Sequence, residues 1–261
     1  MTGDTDRQRR IASIALDASE NAGFALAGSG AIREHGLIDR PTEDIDLFTI
    51  SKASASFKPT VAKVVTALRE HAFQVDIDRQ SESFARLSVY DPEGDYQTEI
   101  DMGLDYRSSP PSQLSIGPVL SLKDAVANKV TALFSRNETR DYLDFDSIRR
   151  RSQFSDDELI DLAKETDPGF DSEYFAQVLD RVSHIRPDEV EPYGYTSSDL
   201  EGVQKRLSSL ADQIRKAPTP DHEQKTTAKG RSELLMELDQ KTKNRLGPAP
   251  GSSLRPNRPR R

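Results

Sequence analysis

The chain of 261 residues contains no cysteine. A disulfide framework, cysteine-ligated zinc and a thiol nucleophile are therefore all excluded. No apolar run approaches membrane-spanning length, and the opening Met-Thr-Gly-Asp-Thr-Asp-Arg lacks an apolar signal core. The expectation is a soluble cytoplasmic protein that does not enter a membrane. Histidine is scarce, and the four present (His35, His71, His184, His222) are scattered, with no pairing that marks a catalytic base. Positive charge is also in short supply. The net charge is −8, and residues 217–261 carry ten Lys/Arg against five Asp/Glu, which leaves residues 1–216 with 26 basic and 39 acidic side chains. An acidic body of this kind argues against broad duplex binding, which needs a basic surface, although it permits local recognition of a single RNA end.

What is present is concentrated between Gly28 and Phe48. The stretch opens on a Gly-Ser turn, passes through a short segment of helical character and ends in Asp44-Ile45-Asp46-Leu47. That last run alternates strictly. On a strand, Asp44 and Asp46 then share one face while Ile45 and Leu47 enter the core. Two carboxylates side by side repel unless a cation lies between them, which points to a divalent metal held by oxygen ligands. Gly28 and Gly30 let the backbone approach a ligand closely, and Ser29 offers a hydroxyl and an amide to a phosphate. The plainer alternative is a wet edge strand beside an ordinary turn. Taken together, a Gly-Ser turn followed about one helix later by Asp-x-Asp on a strand resembles the signature of the polymerase-β-like nucleotidyltransferases.

Residues on either side supply a mixed α/β pattern. Apolar positions at Ile11, Ile14, Ala15 and Ala18 predict a first helix over 10–21, and Phe24 to Ala27 a short buried strand. Ala31 to His35 reads as a short helix closed by Gly36, and Arg40-Pro41-Thr42 as a non-helical lead-in to the next strand. Pro59 to His71 is an amphipathic helix with a stripe of Val61, Val64, Val65 and Leu68. Strands follow at 73–78 and 84–90, and Pro92-Glu93-Gly94-Asp95 turns the chain into a return strand over 96–104. On that strand Gln97, Glu99 and Asp101 share a face. A two-metal mechanism needs a third carboxylate from a neighbouring strand, and Asp101 is the preferred candidate, with Glu99 the alternative.

A Ser/Pro-rich loop over 108–118 leads into helical patterns near 122–134, 140–148, 157–164 and 173–185. A loop over 187–198 separates these from a last long helix with Leu200, Val203, Leu207, Leu210 and Ile214 on one stripe. Lys129 and Arg136 lie seven residues apart, two helical turns, and so share a face. Lys129 sits amid an apolar stripe, where a half-buried lysine suits nucleotide phosphates. Arg136 and Arg140 could neutralise phosphate charge, and Asp141 and Asp144 could be ligands or could orient Lys129 and the arginines. The competing reading is a salt-bridge network tying two helices together.

The order of these segments resembles the AbiEii/MenT family of nucleotidyltransferase toxins of bacterial toxin–antitoxin and phage-defence systems. The segments are Phe24-Ala25-Leu26-Ala27-Gly28-Ser29, Arg40 to Phe48, Asn128 to Arg136 and Arg140-Asp141-Tyr142-Leu143-Asp144, and the resemblance covers roughly residues 10–150. It implies an α+β fold, a polymerase-β-like mixed sheet flanked by helices. Residues 1–120 would form the nucleotidyltransferase domain and 121–216 a helical domain completing the active site. Residues 217–261 would form a disordered basic tail. By position, Ser29 corresponds to the nucleotide-phosphate serine, Asp44 and Asp46 to the metal ligands, Lys129 to the nucleotide-contacting lysine, and Asp144 to the late aspartate needed for activity, with Asp141 as the alternative. Two departures stand out. The spacing from Gly-Ser to Asp is 14 residues, at the long end. The family's hydroxyl near the lysine could come from Thr131 or Ser135.

The reaction the resemblance implies is transfer of a nucleoside monophosphate from an NTP to an acceptor, preferentially the 3′ end of a tRNA. Mg²⁺ or Mn²⁺ would be held by Asp44, Asp46 and Asp101. Gly28, Ser29, Lys129, Arg136 and Arg140 would contact the nucleotide. A cognate antitoxin is implied as a partner, with or without direct contact, and a monomer is the default. Two alternatives are carried: the same chemistry on a protein or small molecule, and a non-catalytic module that binds a nucleotide or the antitoxin.

Overall fold

In the computed structural model, residues 2–50 and 56–217 are described. The basic tail expected from residue 217 onward lies, apart from Ala217, outside them, as does His222. Among the described residues one seven-stranded mixed sheet carries the fold, in the order β3-β4-β5-β2-β1-β7-β6. The strands are β1 (Ala25–Leu26), β2 (Asp44–Thr49), β3 (Gln74–Gln80), β4 (Phe84–Tyr90), β5 (Tyr96–Leu104), β6 (Ser112–Leu114) and β7 (Gly117–Val119). β3, β4 and β5 form an antiparallel meander, β5 runs parallel to β2, β1 is antiparallel to β2, and β7 is parallel to β1.

The helices are α1 (Thr2–Ser19), α2 (Gly28–Glu34), α3 (Phe57–Glu70), α4 (Leu122–Ser135), α5 (Thr139–Arg151), α6 (Asp156–Thr166), α7 (Ser172–Asp180), α8 (Pro187–Val190) and α9 (Ser197–Lys216). Local chemistry explains their ends. The Ser121 hydroxyl accepts from the Asp124 amide at the start of α4. Ser155 and Glu158 form a capping box on α6, and Asp171 caps α7 through the Tyr174 amide. α3 turns Phe57, Val61, Val64, Val65 and Leu68 into the core and packs against α1. One continuous apolar cluster runs from Ile11 on α1 through the strands to Leu210 on α9, so the sheet and the helical half share a core.

Most expected elements are present, with four differences. α1 begins eight residues earlier than the apolar stripe suggests. α2 starts at Gly28 itself, so the Gly-Ser turn is the first turn of the helix. The 108–118 stretch holds the hairpin of β6 and β7, too short to show a period-two pattern. The 187–198 stretch likewise holds α8 and a 3-10 turn at Glu191–Tyr193.

The two central strands position the site. In β2 Ile45, Leu47 and Thr49 are buried, while Asp44, Asp46 and Phe48 face the other way. In β5 Thr98, Ile100 and Met102 are buried against the same core. The parallel register sets Asp44 beside Glu99, Asp46 beside Asp101 and Phe48 beside Gly103.

Candidate active site

The turn between β1 and α2 is fastened to the carboxylate strand. The Ala27 amide donates to the Asp46 carbonyl at 2.8 Å, and the chain then passes over the Asp46 side chain at Gly28. Gly28 has φ of +55°, and a Cβ there would lie 1.8 Å from Asp46 Oδ2. Only glycine fits both the backbone conformation and the space.

A cleft of about 310 Å³ opens above these strands. Asp44, Asp46 and Asp101 line one side of it, with Gly28, Ser29 and Phe48. α4 supplies the other wall through Ala125, Asn128, Lys129, Ala132 and Arg136, and Arg86 and Arg140 complete the lining. Of the two third-carboxylate candidates, Asp101 therefore reaches the cleft. Glu99 does not line it and stands 3.6 Å from Arg86 Nη1.

No hydrogen bond from a described residue reaches the carboxylates of Asp44 or Asp46. Burial, then the charges of Asp44 and Asp101, push the Asp46 carboxyl up to about 7, and Lys129 and Arg136 only partly oppose this. Asp101 is different. Arg86 grips both of its oxygens, Nε to Oδ1 at 2.8 Å and Nη2 to Oδ2 at 2.7 Å. Among the described residues no group of three or more His, Asp or Glu side chains is arranged closely enough to hold a metal ion.

Behind the cleft lies a buried ionic network. Lys129 Nζ donates to Ser29 Oγ at 2.8 Å and stands 2.7 Å from Asp144 Oδ2. Arg40 donates to both oxygens of Asp144, at 2.6 and 2.7 Å, and to Ser29 Oγ at 2.9 Å. Asp141 takes a two-pronged contact from Arg136, both bonds at 2.8 Å, and lies 3.7 Å from Lys129 Nζ. Ser29, Arg40, Lys129, Asp141 and Asp144 are all buried. Burial would raise the Asp144 carboxyl, but Lys129 and Arg40 outweigh it and hold the group below the usual carboxylate range.

The sequence motifs thus fall into two layers. Asp44, Asp46, Asp101, Lys129, Arg136 and Arg140 meet around the cleft, whereas Asp141 and Asp144 stand behind it and hold cations. Thr131 and Ser135 both donate back to carbonyls of their own helix and do not line the cleft. His35 and His71 each bond a backbone carbonyl, and His184 is exposed. A family model described as the nucleotidyl transferase AbiEii toxin of type IV toxin–antitoxin systems matches residues 11–225. The chain belongs to the AbiEii nucleotidyltransferase toxin family. The match spans the strands and helices that build both layers.

Solved structures share the fold at low identity. JHP933 from Helicobacter pylori is 17% identical with a TM-score of 0.59, covering 89% of this chain and 97% of that one. MenT4, a nucleotidyltransferase toxin of Mycobacterium tuberculosis H37Rv, is 15% identical with a TM-score of 0.50, covering 91% of this chain and 93% of that one. No curated protein matches the sequence. No helix among the described residues of this AbiEii-family chain is long and apolar enough to cross a membrane.

Two site residues escape the sequence reading. Arg40 precedes Pro41 at the start of the Arg40 to Phe48 segment, and nothing local shows that its guanidinium turns inward to meet Asp144, 104 residues away. Arg86 was open to discovery. Alternation along β4 puts it on the same face as Ser88, and the 92–95 turn lays β4 antiparallel beside β5, which sets Arg86 opposite Asp101.

Proposed function

We propose that this AbiEii-family nucleotidyltransferase uses a divalent metal, Mg²⁺ or Mn²⁺, to transfer a nucleoside monophosphate from an NTP to the 3′ end of a tRNA. The observation that carries the reading is the β2–β5 register, which sets Asp46 beside Asp101 and, with Asp44, puts three carboxylates on the cleft side of the sheet. The donor set fits a metal. Asp46 is largely desolvated, faces two further carboxylates and accepts no hydrogen bond from a described residue, so its own carboxylate lacks a directly contacting cation. Asp44 and Asp46 would hold the ion, joined by Asp101. Bound there, it would lower the pKa of the attacking hydroxyl and neutralise the leaving pyrophosphate.

The chain's own groups divide the remaining work. Lys129, fixed by Asp144 and Ser29, presents a cation whose position is set before substrate arrives, as electrostatic stabilisation of phosphate charge requires. Arg136 and Arg140 add charge on the same wall. Gly28 keeps the backbone thin over Asp46, so that phosphate oxygens can approach. Phe48 and Ala125 give the cleft an apolar portion suited to a nucleobase. The cognate antitoxin implied by the family could act on the toxin directly or without touching it.

The test is incubation of the purified protein with total tRNA, Mg²⁺ and each α-³²P NTP in turn, beside Asp46→Ala. Label on tRNA from one or two NTPs, absent in the variant, is the expected result. Full transfer by Asp46→Ala would sink the metal assignment. Label on a protein band instead of tRNA would replace the acceptor and keep the chemistry.

A further inference from the structure

Arg86 is set on β4 directly opposite Asp101 on β5. One guanidinium occupies both oxygens of that carboxylate, and it also lines the cleft. The two partners differ in freedom. The Arg86 side chain is 43% exposed, whereas that of Asp101 is 14% exposed and is held on a strand at the middle of the sheet. Arg86 has solvent to swing into, and Asp101 does not. On its other side Asp101 neighbours Asp46 in register. Asp101 thus lies between Arg86 on one neighbouring strand and Asp46 on the other.

We propose that Arg86 is a displaceable counter-ion of Asp101. It holds the carboxylate while the protein is free of metal, and it releases it when a divalent cation enters beside Asp44 and Asp46. The inference rests on the metal-dependent reading above. Its physical content is competition. A cation that recruits Asp101 must first break two charge-assisted hydrogen bonds in a forked geometry, which are stronger than a simple exposed contact. The arginine partner is 43% exposed, which keeps that cost modest and makes displacement feasible. Arg86 therefore weakens metal binding and does so through Asp101. The bare protein avoids an unneutralised cluster of three carboxylates, and the metal site becomes complete only when an ion is available to fill it.

The experiment is a Mn²⁺ titration of the full chain, free Mn²⁺ being read by electron paramagnetic resonance. The proteins are wild type, Arg86→Gln, Asp101→Asn, the double variant and Asp46→Ala, each checked for fold by circular dichroism and thermal melting. Arg86→Gln is expected to bind Mn²⁺ about tenfold more tightly than wild type, the scale of one forked ion pair. The double variant is expected to bind no more tightly than Asp101→Asn alone. Unchanged affinity in Arg86→Gln, with wild-type binding abolished by Asp46→Ala, would overturn the role of Arg86 and leave the metal site standing. Tightening that persists in the Asp101→Asn background would reduce the effect to general charge and overturn it too. If neither wild type nor Arg86→Gln binds Mn²⁺, the metal-dependent reading falls and this inference with it.

Discussion

Arg40 clamps both carboxylate oxygens of Asp144, at 2.6 and 2.7 Å, and neither side chain is more than 3% exposed. The two residues come from opposite halves of the fold. Arg40 leads into the carboxylate strand, and Asp144 lies in the middle of α5. Removing Asp144 leaves Arg40 as a buried cation with no carboxylate in contact, a loss of roughly 3–5 kcal/mol, whereas removing Arg40 leaves Asp144 still paired with Lys129. Asp144→Ala should lower unfolding free energy on that scale in urea, and Arg40→Ala should lower it by less, because Lys129 remains 2.7 Å from Asp144 Oδ2. Replacing both together should cost less than the sum of the single changes.

Gly28→Ala would thrust a methyl group into Asp46 Oδ2 and force a left-handed backbone on alanine. The conformational part alone costs about 1–2 kcal/mol, so the protein should still fold. Transfer should fall by about a hundredfold or more, because a displacement near 1 Å at a reacting centre is that damaging. Near-wild-type turnover in a folded Gly28→Ala protein would show that the approach over Asp46 is not used.

Asp46→Asn should separate activity from stability. The substitution keeps the shape and removes one of three neighbouring carboxylate charges, so the metal-free variant should be more stable than wild type by on the order of 1–2 kcal/mol. Transfer should be lost. Adding Mg²⁺ after chelation should raise the melting temperature of wild type and leave that of Asp46→Asn unmoved, since only a protein that binds the ion is stabilised by it.

Asp124 sets a pH dependence. Burial would raise its carboxyl, but bonds from the Ser108 amide and hydroxyl, the Ser109 amide and the Ser121 hydroxyl hold it below the usual value. A carboxyl depressed on folding contributes stability that is full above its unfolded pKa, about 3.9, and is lost as pH falls through the lower folded value. Wild-type unfolding free energy should therefore decline from about pH 5 downward, and Asp124→Asn should show a shallower decline over the same window.

Much of the fold was legible in the chain because it is written in local periods. β4 and β5 match their expected bounds, 84–90 and 96–104, since alternation and the 92–95 turn fix them. The facing of Asp44, Asp46 and Asp101 followed from the same alternation, and the parallel β2–β5 register then brought the three together. The buried network was less accessible. Asp141 and Asp144 look like exposed helix residues by type, and only the partners Arg136, Lys129 and Arg40 explain their complete burial. Those pairings span up to 104 residues, and no local pattern encodes them. The β6–β7 hairpin failed for a different reason. Three-residue strands containing Pro118 and Gly117 carry no periodic signal.

The reach of the Ser29 hydroxyl has a consequence for synthesis. Its hydrogen-bonding partners Lys129 and Asp144 lie 100 and 115 residues further along the chain. A ribosome making this protein can expose β1, α2 and both β2 aspartates long before Lys129 and Asp144 have been translated. The buried network around Ser29 can therefore close only once α4 and α5 have emerged, and a product truncated before α4 would carry Asp44 and Asp46 without Lys129 or Asp144.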